Sequence, residues 1–174
     1  MKTNRLAKHF PNVTLRTQDN QQVRFYDDVV KGKVVLINFM FTTCTELCPR
    51  ATANLANLQQ ALGEHAGRDV FLISISVDPE NDTPAALKQY AERFHAGPGW
   101  TFLTGKAADI ELIQRRLRAY PTDGTPHTGM AIYGNEASGS WSATPIIQNG
   151  AGMARIVLRL VEPTTAISGS PKSN

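Results

Sequence analysis

Cysteine is nearly absent from this chain: Cys44 and Cys48 are the only two in 174 residues. One pair cannot make the disulfide framework that holds small secreted domains together, and a chain this long can bury a core without one. The fold therefore does not depend on the thiols, and their chemistry is the better reason for their presence. No stretch approaches the ~20 apolar residues of a membrane span. The opening "MKTNRLAKHFPNV" lacks the apolar segment of a secretory leader, so a soluble chain is expected. A phosphate-cradling glycine loop, a Ser-His-Asp order and an H-E-x-x-H pattern are all missing, which leaves nucleotide, hydrolase and zincin readings without support. Neither sign of charge dominates: 18 Lys and Arg stand against 15 Asp and Glu, net +3. The densest basic group, Arg115, Arg116 and Arg118, sits on a helix-like segment and reads as a solvated face, not a nucleic-acid surface.

What the chain does have is regular alternation. "NVTLRTQDNQQVRF" reads as two short strands around a polar turn, an N-terminal β-hairpin. "KVVLINFMF" is an unbroken β-branched and aromatic run, as expected of a central strand buried on both faces. "PRATANLANLQQALGEHAG" then spaces Leu55, Leu58 and Leu62 for a helix, with Pro49 in the first turn and Gly63 or Gly67 to end it. "DVFLISISVD" is a second buried strand. A helix follows, with Asp82 or Thr83 as its N-cap and Pro84 just inside, running toward Gly97. "WTFLTG" is a short strand and residues 106–120 a further helix. "HTGMAIYGNEASGSW" reads as a late hairpin turning at Gly-Asn, and "GMARIVLRLVE" as a last helix whose β-branched residues also suit a strand.

Strands alternating with helices predict a three-layer α/β domain with a central mixed sheet, its early βαβ units parallel and the late hairpin at an edge. That order matches a thioredoxin-like fold. One domain is expected over residues 1–163. The small, polar residues 164–174 read as a disordered tail.

The thiols lie where the first buried strand hands over to its helix. A helix N-terminus offers unsatisfied N–H groups and the positive end of the helix dipole, which stabilise a thiolate, and the thiolate is both nucleophile and metal ligand. Spacing leaves two readings open. C-x-x-C is the thioredoxin arrangement, whereas Cys44 and Cys48 are C-x-x-x-C. On a helical turn, residues four apart share a face. Two such thiolates suit a soft ion such as Cu(I), and a closed zinc site fits less well because it wants four protein ligands. A disulfide between them is also sterically feasible.

Of four histidines, His9 lies in the N-terminal segment, while His65 and His95 sit near helix ends, where dipole and solvation account for them. His127 follows the Pro/Gly loop "YPTDGTPHTG" just before the late hairpin, in the kind of loop where such sheets assemble sites. Asp78 falls at the exit of the second buried strand, level with the thiols if the strands are parallel neighbours, and is a candidate to tune them. Asp82 reads as a turn or cap residue.

Taken together, "VVLINFMFTTCTELCP", "FLISISVDPENDTP", "TFLTG" with its helix, and "HTGMAIYGNE" resemble the Sco/SenC family, in that family's order and over roughly residues 10–135. The resemblance implies a copper ion, Cu(I) or Cu(II), held by Cys44, Cys48 and His127, with Asp78 on the aspartate of the D-P-x-x-D-T-P loop. It implies an accessory role toward the binuclear copper site of a cytochrome oxidase: delivery of copper, reduction of that site's cysteines, or both. The implied partner is the copper-site subunit of a terminal oxidase or another copper or thiol protein. The implied location is the periplasm or the outer face of the inner membrane, where members of the family are usually tethered by an N-terminal segment; this chain is expected to be a monomer without that tether. The rival expectation is a metal-free thiol–disulfide oxidoreductase, in which Cys44 attacks and Cys48 resolves.

Overall fold

Val34–Met40 is buried at every position, and this strand organises the molecule. The computed structural model describes residues 9–45, 47–117, 129–146 and 149–161. In chain order the elements are β1 (Thr14–Thr17), β2 (Gln22–Arg24), a π-helical turn (Phe25–Val30), β3 (Val34–Met40), α1 (Leu47–Leu62), a 3₁₀ turn (Gly63–His65), β4 (Val70–Ser76), α2 (Pro84–Arg93), β5 (Trp100–Thr104), α3 (Ala107–Arg116), β6 (Met130–Asn135), β7 (Ser140–Pro145) and α4 (Gly150–Leu158). The strands form one seven-stranded sheet in the order β2-β1-β5-β4-β3-β6-β7. Pairing is parallel between β3 and β4 and between β4 and β5, and antiparallel at both flanks. This is the expected mixed sheet, with the two hairpins at opposite edges.

Because side chains alternate across a strand, β3 feeds two cores. Val34, Leu36 and Met40 pack with Leu55 and Leu58 of α1, Leu87 and Tyr90 of α2, and Met153 and Val157 of α4. Val35, Ile37 and Phe39 pack on the opposite face with Ile110 and Ile113 of α3 and with Phe25, Val29 and Val30 of the π-helical turn. Helices on both faces make the three layers. The π-helical turn was not expected: "FYDDVV" offers too few residues for helical periodicity, and only its docking on β3 reveals which side is apolar.

Boundaries moved for identifiable reasons. The late hairpin does not turn at Gly134-Asn135. Both residues lie in β6, and the chain reverses over 136–139, with Gly139 at φ +75°. Gly134 is there because a Cβ would lie 2.4 Å from the ring of Trp141, its cross-strand partner. α2 stops at Arg93, short of Gly97, because His95 takes the left-handed conformation at φ +55°. Its N-cap is Thr83, whose Oγ1 accepts from the Ala86 N–H at 3.2 Å, so the capping role open to Asp82 is filled by its neighbour. The last segment is a helix, capped by the Asn149 side chain, which accepts from the Gly152 N–H at 2.8 Å. The expected tail at 164–174 and residues 118–120 of the third helix lie outside the described residues.

Candidate functional site

Register places the ends of three segments together. Met40, the last residue of β3, pairs with Ser76, the last of β4, so the loops that follow leave the sheet side by side. The ladder continues for one more bond, Val77 N–H to Met40 O at 2.9 Å. β6 runs against β3, and Ala131 opposes Asn38, so the chain enters β6 at this same end.

From β3 the chain makes a tight turn, closed by the Cys44 N–H donating to the Phe41 carbonyl at 3.3 Å. Cys44 is half-buried just before α1, and Cys48 is fully buried within the first helical turn. The two are therefore not both helical, as a simple i, i+4 pairing assumes; they straddle the start of the helix. The Cys48 N–H donates to the Cys44 sulfur at 3.4 Å. That N–H is one of those a helix start leaves unsatisfied, so the donor expected from sequence reaches the sulfur directly.

Beneath the thiols, Thr52 and Tyr90 share a buried hydrogen bond of 3.0 Å. Burial pushes the Tyr90 phenol above its usual range. Its bond with Thr52 opposes that, and negative charge on Cys48 and Cys44 adds to the upward push.

Asp78 stands where expected, at the exit of β4, but it does not bond a thiol. Its carboxylate accepts from Asn81 Nδ2 at 2.9 Å, and its carbonyl accepts the Asp82 N–H at 2.9 Å. Asp82, read from sequence as a cap, is the side chain that reaches the cysteine loop. It is fully buried and accepts from the Thr42 N–H at 3.1 and 3.3 Å, from the Thr42 hydroxyl, and from Ser76 Oγ at 2.6 Å. Its partner Thr42 lies 40 residues away in sequence, so nothing local distinguishes this aspartate from a cap.

His127 lies outside the described residues. His65 is bound to Asp69 at 2.7 Å beyond the far end of α1, a helix whose 16 residues span about 24 Å, and so is remote from the thiols. The His95 carbonyl is held by Gln59 in the last turns of α1, also far from them, and His9 is exposed. Among the described residues no three His, Cys, Asp or Glu side chains converge as a metal site would require. A cleft of about 630 Å³ lies on the other side of Asp82, between Leu15, Thr83 and Lys106, not over the thiols.

The family model described as SCO1/SenC matches residues 3–137. The SCO1 protein homolog of Bacillus subtilis is 42% identical over 93 residues, which are 53% of this chain and 47% of that protein. This chain thus spans about half the length of the curated relatives it matches. Among solved structures, copper-bound ScoI of Bradyrhizobium japonicum superposes with a TM-score of 0.70 at 29% identity, over 84% of this chain and 96% of that one. A SCO1/SenC family lipoprotein from Bacillus anthracis gives 0.72 at 29% identity, over 86% and 93%.

Proposed function

The chain belongs to the SCO1/SenC family, and from that premise we propose that it binds copper as cargo and serves the assembly of the binuclear copper site of a cytochrome oxidase. Cys44 and Cys48 supply two soft donors, and His127 supplies the third. The observation that carries this reading is the Cys48 N–H on the Cys44 sulfur, which holds that sulfur against the backbone of the second cysteine at a helix start, where a thiolate is favoured. The donor set suits a soft ion in a way that carboxylate or water ligands would not.

The register supports His127 as the third donor. Gly129 accepts from the Ile146 N–H beside the start of β6, at the end of the sheet that bears the thiols. His127 is two residues before it, and two residues of chain reach at most about 7 Å. Asp78 contributes through the loop: its carbonyl fixes the backbone of Asp82, which in turn holds Thr42. Three donors leave a position open to a sulfur or imidazole of the receiving protein, as hand-over by ligand exchange requires. Binding releases protons from the thiols, so it weakens as pH falls. The partner is the copper-site subunit of a terminal oxidase. The place of action is the outer face of the inner membrane, and the protein acts as a monomer.

The test is titration of the reduced protein with Cu(I) and Cu(II), repeated with His127→Ala. Tight 1:1 binding that weakens for Cu(II) in the variant is expected. A reduced protein that takes up neither ion ends the copper reading. If that metal-free protein also reduces an oxidised partner, the thiol–disulfide oxidoreductase reading replaces it.

A further inference from the structure

We infer that Asp82 is a positioning residue for the thiol pair, clamping the turn that presents Cys44 to the exit of β4. The inference rests on the reading of Cys44 and Cys48 as the working groups, but not on the identity of the metal.

Among the described residues, the turn from Phe41 to Cys44 is closed by one backbone hydrogen bond, Cys44 N–H to the Phe41 carbonyl. Thr42 is its second residue, and Asp82 takes both polar hydrogens that Thr42 offers, the backbone N–H and the hydroxyl. Oδ1 takes the Thr42 hydroxyl, and Oδ2, which shares the Thr42 N–H, also accepts from Ser76 Oγ, which itself accepts the Asp78 N–H at 3.0 Å. Cysteine turn, strand end and following loop are therefore joined through one carboxylate. Both oxygens are used, and an amide of the same shape has only one acceptor oxygen. No cationic side chain pairs with Asp82 among the described residues. A fully buried carboxylate held by neutral donors alone is costly to desolvate, and tying down an ordinary loop does not require one. What it secures here is the distance between two sulfurs. Cys48 is fixed by α1, whereas Cys44 lies outside the helix, its sulfur receiving the Cys48 N–H and its backbone set by the turn.

The consequence is measurable on the thiols alone. In a glutathione buffer the two thiols give two electrons and two protons to glutathione disulfide, forming the Cys44–Cys48 bond and two glutathione thiols. The equilibrium constant depends on the effective concentration of one sulfur at the other, which falls when the turn is released.

The experiment measures that constant for wild type, Asp82→Ala, Asp82→Asn and Thr42→Val, with Glu136→Ala as a control. Glu136 is also a buried carboxylate; it accepts from Tyr26 Oη and the Gly32 N–H, both at 2.7 Å. It lies at the opposite end of β3, about 20 Å from the thiols. Expected is a fall of about tenfold for Asp82→Ala, smaller falls for Asp82→Asn and Thr42→Val, and no change for Glu136→Ala despite its lower stability. Unchanged constants in the Asp82 and Thr42 variants, or an equal change in Glu136→Ala, would overturn the inference. If Asp82→Ala does not fold, the other two variants decide by the same criterion. A wild type that binds no copper while the Asp82 variants shift the constant would end the copper reading and leave the positioning role standing.

Discussion

At the scale of single residues, the buried carboxylates show how placement decides role. Glu136 ties the turn after β6 to the π-helical turn and to the approach of β3. Glu136→Ala leaves Tyr26 Oη and the Gly32 N–H without this acceptor, so unfolding free energy should fall by about 3 kcal/mol in a urea titration. Tyr90 supplies a pH prediction. Its folded phenol ionises above its usual range, chiefly because it is buried, so the folded state holds a proton that the unfolded state releases at about pH 10. Stability contributed by Tyr90 is complete below that pH and is lost as pH rises through the folded value. Tyr90→Phe should lose less stability than wild type across this window, which denaturation at paired pH values would show. Identity alone made neither role plain. The cysteines were legible because few positions suit a thiolate, whereas Asp82 next to Thr-Pro looks like any cap until Thr42 is found against it.

At the scale of elements, the legible parts were those whose pattern outlasts a single contact. β3 and β4 announced themselves by unbroken apolar runs, and α1 by its leucines. Less visible was whatever depends on two backbones approaching each other. Gly134 suggested a turn, yet it faces the ring of Trp141 across the hairpin. Gly150 opens α4, where a Cβ would sit 2.7 Å from the Asn57 carbonyl carbon in α1. Gly150→Ala should therefore force the two helices apart at a cost of about 2 kcal/mol, read as a lower melting temperature. Thr83→Ala should cost about 1 kcal/mol through loss of the Ala86 cap. It should leave the thiol equilibrium of Cys44 and Cys48 alone, because the adjacent Asp82 clamp is retained.

At the scale of the whole molecule, three chain segments reach one end of the sheet: the turn at Phe41–Cys44, the loop at Asp78–Asp82, and the entry to β6. On the proposed ligand set a metal would link the first and last of these, and anything that binds only the folded form raises its stability by mass action. Copper added to the reduced protein should therefore raise the melting temperature, and by less in His127→Ala. The pairing of β3 with β6, Asn38 opposite Ala131, has a kinetic side. β4 follows β3 after one helix, but β6 arrives only after β5 and α3 have been made. Contacts so distant in sequence slow folding. During synthesis the two sulfurs leave the ribosome well before β6, so there is an interval in which the thiols exist but the end of the sheet that carries them is not yet closed. If the thiols meet an oxidant in that interval, the reductant present then decides how much of the chain reaches the folded state with both thiols reduced.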